Sequence, residues 1–265
     1  MPPPNRTPAS NTPAILLTVA RTHVRDGLIV MTVLLLVAST VVKSMNVAWG
    51  NDYIFGLLRV LWVDEEGNLP TWFSSTLLLS SSVLAFFIGV ARRYQRLPHA
   101  GWLVLAGLVL GLSIDESASI HEISTRYAKG AGGLGLFPED GATFAWVVYA
   151  LPLIIIGGWF GARFLRTLDA PVRNRLGIGL VVWMTGVFGI EALTGQLVGL
   201  QTRTWTYLVL ATLEEGAEMI GAIVFIDGLL VQLSNHVGSV ALQFANLGAP
   251  GVTDAGDTAR RATIV

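Results

Sequence analysis

Residues 101–123 read GWLVLAGLVLGLSIDESASIHEI, an apolar run that is long enough to cross a bilayer but ends in charged side chains. Residues 101–114 contain no charge, whereas Asp115, Glu116, His121 and Glu122 follow within the next eight positions. An ionised side chain at the centre of a bilayer costs at least about 2.5–3.5 kcal/mol. The stretch therefore predicts a membrane helix that carries a polar functional site towards one end.

The composition of the whole chain also indicates a membrane protein. Of its 265 residues, 52% are hydrophobic and only 13% are charged, and the mean hydropathy is +0.61. The chain contains no cysteine, which excludes disulfides, thiolate metal sites, iron–sulfur clusters and covalent c-type haem. Any metal would be held by oxygen and imidazole, and nothing in the charge pattern favours a nucleic-acid partner.

Six apolar stretches have the length of about 20 residues that a membrane helix needs. They are residues 27–48, 72–91, 101–123, 143–162, 176–199 and 207–232. We therefore expect an all-α, polytopic membrane helix bundle with six transmembrane helices in a domain over 27–235. Its flanks, residues 1–26 and 236–265, are predicted to be a flexible N-terminal segment and a disordered tail.

The distribution of basic residues predicts the orientation of the bundle. Alternate loops and the N-terminal flank are rich in arginine, at positions Arg6, Arg21, Arg25, Arg92, Arg93, Arg96, Arg163, Arg166, Arg173 and Arg175. By the positive-inside rule both termini are cytoplasmic, which suits a multi-pass protein of a bacterial plasma (inner) membrane. The apolar segment Tyr53–Trp62 is too short to span and is predicted to lie in the interface on the outer side.

Helix rise places several acidic residues at one depth. Asp115 and Glu191 lie about 20 Å from the cytoplasmic ends of their spans, and Glu214 and Glu215 lie about 12 Å from the outer end of the last span. In LEEGAEMIG (213–221), Glu214 and Glu218 are one helical turn apart and Glu215 lies within the same arc. Two acidic helix faces are therefore predicted to oppose each other in the outer half of the bilayer.

The acids of this layer outnumber the bases that could neutralise them. The layer holds Asp115, Glu116, Glu122, Glu191, Glu214, Glu215 and Glu218, while Lys43, Arg126 and a protonated His121 are the candidate charge partners. In a regular helix His121 would point about 120° away from Asp115, and Lys43 would extend towards the outer headgroups. Asp227, near the inner end of the last span, is interpreted as a solvated residue. The remaining negative charge requires protons, bound cations or access to water.

Three classes of function are compatible with such a layer. The first is hydrolysis of a lipid or a membrane peptide by a bound divalent metal ion, with Glu116 or Glu215 as general base. The predicted metal ligands are Asp115, His121, Glu122, Glu191, Glu214 and Glu218. The second is transport coupled to protons or cations, and the third is a regulatory subunit whose acids bind a partner helix. A homo-oligomer is compatible with all three.

Three short sequence motifs resemble the signatures of the CAAX-processing and PrsW-type intramembrane proteases. They are Glu214–Glu215 followed by Glu218, FGIE at 188–191 and HE at 121–122. The order along the chain differs, since the double-glutamate motif comes first in those families and last here. The resemblance does not assign the chain to either family.

Overall fold

Helices make up all the regular structure in the part of the chain that the computed structural model describes, namely residues 20–121, 123, 147–197 and 201–236. In chain order they are α1 (Arg21–Trp49), a 3-10 turn (Ile54–Gly56), α2 (Leu57–Leu61), α3 (Leu69–Tyr94), α4 (Ala100–Ala118), α5 (Val147–Leu165), α6 (Ala170–Met184), a π-helical turn (Thr185–Ile190), α7 (Glu191–Leu197) and α8 (Trp205–His236). The prediction of an all-α protein is confirmed for these residues.

Five helical segments of the described residues are long and apolar enough to cross a membrane. They are α1, α3, α4, the continuous run Ala170–Thr194 and the segment Trp205–Asn235 of α8. They correspond to five of the six predicted stretches. The other stretch, 143–162, begins outside the described residues and overlaps α5, in which the apolar helix Ile154–Leu165 is shorter than a span. Helix α1 begins within the predicted flank 1–26, and residues 237–265 lie outside the described ranges.

Two predicted spans are less regular than the sequence suggested. The third was expected to continue to residue 123, but α4 ends at Ala118 because Ser119 adopts a left-handed conformation (φ 51°, ψ 41°). The fifth was expected to be one helix over 176–199, but a π-helical turn, TGVFGI, interrupts it at Thr185–Ile190. Two glycines in this turn weaken the preference for a regular α-helix, and π-turns of this kind are frequent at functional sites.

The long helix α8 lies at the centre of the bundle. It packs against α1, α3, α6, the π-helical turn and α7, while α4 packs mainly on α3. The α3–α4 contact includes a reciprocal pair of hydrogen bonds: Ser75 Oγ donates to the carbonyl of Ser113 over 2.9 Å, and Ser113 Oγ donates to the carbonyl of Ser75 over 2.8 Å. Small polar residues therefore connect these two helices, as is common in membrane helix pairs.

Helices α6 and α8 touch through their backbones. A Cβ atom on Gly179 would lie 2.7 Å from both the carbonyl oxygen of Gly221 and the amide nitrogen of Phe225. A Cβ atom on Gly221 would lie 2.6 Å from the amide nitrogen of Trp183. These contacts are too short for any side chain, so glycine is required at both positions.

The interpretation of Asp227 as a solvated residue is wrong. Asp227 of α8 is only 6% exposed, and its Oδ2 accepts hydrogen bonds from Arg21 Nη1 at 3.1 Å and from Arg175 Nε at 2.9 Å. Arg21 is the first residue of α1, and Arg175 lies in the second turn of α6. This ion cluster therefore joins the ends of three helices.

We predict that Gly179→Ala destabilises the protein by about 1–3 kcal/mol, because the new methyl group would collide with backbone atoms that cannot move aside. The measurement is thermal or denaturant unfolding of the purified protein in detergent. Gly177→Ala is the matched control, since a Cβ atom there meets nothing within 4 Å and alanine favours a helix. Equal stability of the two variants would contradict the backbone contact.

Candidate functional site

A segment that we call the acidic loop, residues 62–68 (WVDEEGN), is fixed between α2 and α3. Trp62 and Val63 are buried, and the amide of Val63 donates to Ser39 Oγ of α1 over 3.0 Å. Asn68 Nδ2 donates to the carbonyl of Trp62 over 2.6 Å. The loop is thus held on the bundle, and it carries Asp64, Glu65 and Glu66 with it.

Lys43 lies beneath the acidic loop and does not extend to the headgroups. It is 6% exposed, and its Nζ is 4.6 Å from the centroid of the Trp62 ring and 5.6 Å from that of Tyr207. Tyr207 of α8 in turn donates a hydrogen bond from its hydroxyl to the carboxylate of Asp64. The positive charge of Lys43 acts on Asp64 and Glu65. This predicted charge partner therefore interacts more directly with the acidic loop than with the acids of α8.

The break in α4 brings His121 to Asp115. The backbone amide of His121 donates to Asp115 Oδ1 over 2.9 Å, and the ring Nδ1 lies 3.1 Å from Asp115 Oδ2. The ring Nε2 lies 3.6 Å from Glu66 Oε1, and Ser119 Oγ donates to Glu66 Oε2 over 2.8 Å. The expected divergence of about 120° does not occur, because the left-handed Ser119 turns the chain back.

These contacts favour the charged form of His121, which lies beyond the end of the α4 span. The hydrogen bond to Asp115, assisted by the negative charges of Asp115, Glu66 and Glu116, raises the pKa of His121 to about 9 against the effect of its burial. The ring is therefore an imidazolium at neutral pH and pairs with acids on two elements. The predicted role of His121 as a metal ligand would require the loss of this proton.

Four further acids form what we call the carboxylate cluster: Glu116 of α4 and Glu214, Glu215 and Glu218 of α8. The negative charge of Glu116 acts on both Glu215 and Glu218, and that of Glu191, at the start of α7, acts on Glu214 and Glu218. Within the described part of the chain, no side chain forms a hydrogen bond or an ion pair with the four members of the cluster. The two predicted acidic faces are close enough to repel each other.

The π-helical turn explains how Glu191 comes close to α8. A Cβ atom on Gly186 would lie 2.8 Å from the carbonyl oxygen of Glu214 and 2.8 Å from Cγ of Glu218. The backbone of the turn therefore lies directly on the acidic face of α8. Any side chain at position 186 would displace the turn or the glutamates.

The predicted metal ligands do not converge on one point. Across residues 20–121, 123, 147–197 and 201–236, no group of three or more histidine, cysteine, aspartate or glutamate side chains is arranged to hold a metal ion. Asp115 pairs with His121, which also contacts Glu66 of the acidic loop. Glu214 and Glu218 instead lie on α8, with Glu191 at the start of α7. The predicted ligand Glu122 and the predicted charge partner Arg126 lie outside the described residues.

Sequence reasoning missed three residues of this region: Asp64, Glu66 and Tyr207. The run DEE at 64–66 was visible as an acidic segment directly before α3. A loop has no helical period, however, and so the run could not be assigned a depth or a direction. Tyr207 carried no signal beyond its place near the outer end of the last span.

Comparison with known proteins identifies a family but no activity. Residues 27–233 match the family described as Domain of unknown function (DUF8692), and the chain belongs to it. No curated protein and no solved structure matches the chain.

We predict that Asp115→Asn lowers the pKa of His121 from about 9 towards its ordinary value of 6.5, because the variant removes both the charged acceptor and the nearby negative charge. Since folding raises this pKa, the contact stabilises the protein fully below pH 6.5, and this contribution is lost as the pH rises through 9. The measurement is an NMR titration of labelled histidine side chains. The ring signals of the half-buried His99, which lies near the opposite ends of α3 and α4, are the internal control and should be the same in both proteins. An unchanged His121 titration would contradict the pairing.

Proposed function

We propose that the chain is an integral membrane protein that binds a divalent cation at the carboxylate cluster and hydrolyses a lipid or a membrane peptide there. The observation that carries the proposal is that four carboxylates from α4 and α8 interact with one another and form no ion pair or hydrogen bond with a described side chain. Such an arrangement is stable in a bilayer only with added positive charge or protons. Carboxylate oxygens are the ligands that hard divalent cations prefer.

The chemistry follows from the residues available around the cluster. A bound divalent cation would polarise a carbonyl or phosphoryl oxygen and lower the pKa of bound water. Glu116 and Glu215 are the residues that we assign as candidate general bases, because a carboxylate beside metal-bound water can accept its proton. The imidazolium of His121 would keep Asp115 and Glu66 neutralised beside the site, and Lys43 would do the same for Asp64 and Glu65.

The proposed placement in the membrane uses six spans. We assign α5, together with the residues before it, as the span that joins the five membrane-length helices of the structure. Both termini then lie on the cytoplasmic side of a bacterial plasma membrane, where the arginine-rich loops are also found. In this orientation the acidic loop and the short helix α2 lie on the outer side, above the carboxylate cluster.

A second candidate function is proton-coupled transport. The contacts from Glu66 to His121 and from His121 to Asp115 form a series of titratable groups that starts at the acidic loop. Glu116 follows Asp115 directly in the sequence and interacts electrostatically with all three groups. Such a series is typical of proton relays in membrane proteins.

The test is the divalent-metal content of the detergent-purified protein, compared with a Glu215→Gln, Glu218→Gln double variant. We expect near-stoichiometric metal in the wild type and its loss in the double variant, because two of the four carboxylates become neutral amides. Glu65→Gln is the matched control, since Glu65 is an exposed acid of the acidic loop outside the carboxylate cluster. It should retain the metal. Purified wild type should also hydrolyse phospholipid or peptide substrates in liposomes only when metal is present.

Absence of metal in the wild type, even after divalent ions are added back, would contradict the proposal. Proton uptake by proteoliposomes under an imposed pH gradient would then support the transport function. Metal retained equally by the wild type and the double variant would show that the carboxylate cluster is not the binding site.

A further inference from the structure

A small cavity lies where α3, α4, α6 and α8 meet. Its polar lining comes from Ser74 of α3, Glu116 of α4 and Glu218 of α8, and Trp183 and Met219 contribute to its apolar walls. The volume is about 10 Å³, which is close to the space that one water molecule or one ion requires. Two members of the carboxylate cluster therefore line one small cavity.

Ser74 contributes an oxygen atom to which no described residue is hydrogen-bonded. Its residue surface is 7% exposed, and its Oγ forms no hydrogen bond within the described part of the chain. Other buried serines of α3 are bonded: Ser81 Oγ donates to the carbonyl of Leu77 over 2.9 Å, and Ser82 Oγ donates to that of Ala106 over 2.8 Å. A buried hydroxyl is rarely left unbonded in a native protein, so an orphaned one needs an explanation.

We propose that this cavity is the binding site of a single cation, whose ligands are the carboxylates of Glu116 and Glu218 and Ser74 Oγ. The inference rests on the proposed function and adds to it a location and a neutral ligand. With Glu116 bound to the cation, Glu215 is left as the general base. Three oxygen atoms of this kind suit a hard cation such as Mg²⁺, which proteins commonly bind through one or two carboxylates. The ion would satisfy the orphaned hydroxyl and offset the repulsion between two carboxylates at once.

The size and lining of the cavity also restrict what else can bind there. A volume of about 10 Å³ matches a single ion or water molecule and is much smaller than an organic substrate. A substrate would therefore lie beside the cavity, towards the acidic loop and the other members of the carboxylate cluster. Because the ligands come from α3, α4 and α8, the cation would connect these three helices. It would also offset the repulsion between the carboxylates of α4 and α8.

The test is the binding of Mn²⁺, as a paramagnetic substitute for Mg²⁺, to the full chain in detergent, followed by electron paramagnetic resonance. We expect Ser74→Ala to weaken Mn²⁺ binding by about tenfold, as the loss of a supporting oxygen at a metal site commonly does. Ser82→Ala is the matched control. It removes another buried hydroxyl of α3, which donates a hydrogen bond to a carbonyl outside the cavity. Its Mn²⁺ affinity should equal that of the wild type. Thermal unfolding without divalent ions checks that Ser74→Ala is folded.

Each other outcome overturns the inference in a recognisable way. If Ser74→Ala binds Mn²⁺ as the wild type does while the Glu215→Gln, Glu218→Gln double variant does not, the ion lies elsewhere in the carboxylate cluster. The proposed function then stands, but without a cation site in this cavity. If the wild type binds no Mn²⁺, the cation site in the cavity and the proposed divalent-cation function fail together. The cavity then holds a water molecule or a monovalent ion.

Discussion

The backbone contact between α6 and α8, at Gly179 and Gly221, is the interaction on which the rest of the structure depends. It holds the central helix α8 so close to α6 that neither position accommodates a side chain. The same contact line continues to Gly186, where the π-helical turn lies on the backbone of Glu214 and beside Glu218. Close packing without side chains thus orients the acidic face of α8 and brings the start of α7 next to it.

The acids around the acidic loop and those of the carboxylate cluster differ in how their negative charge is compensated. Three acids around the acidic loop have partners: Glu66 and Asp115 pair with His121, and Tyr207 donates to Asp64. The four acids of the carboxylate cluster form no hydrogen bond or ion pair with a described side chain. The carboxylate cluster therefore differs from the structural ion pairs around it, and this difference is the basis of the proposed binding site.

Hydrophobic length and helical period predicted the all-α architecture and the close approach of Glu116 to Glu215 and Glu218, because both depend only on rise and rotation along regular helices. The sequence did not predict the position of His121, since a serine in the left-handed region carries no strong signal in the pattern. It likewise did not predict the π-helical turn. The burial of Asp227 and Lys43 depends on residues distant in sequence, Arg21 and Arg175 for the first and Trp62 and Tyr207 for the second.

The most direct test of the account is the thermal unfolding midpoint of the full chain in detergent as a function of Mg²⁺ concentration. A cation that binds the folded carboxylate cluster and not the unfolded chain must stabilise the protein by linkage. The account predicts that the midpoint rises progressively with Mg²⁺ once the dissociation constant is exceeded, and that NaCl at equal ionic strength has no such effect. The same midpoint in both salts at every concentration would contradict the claim that the cluster is a divalent-cation site.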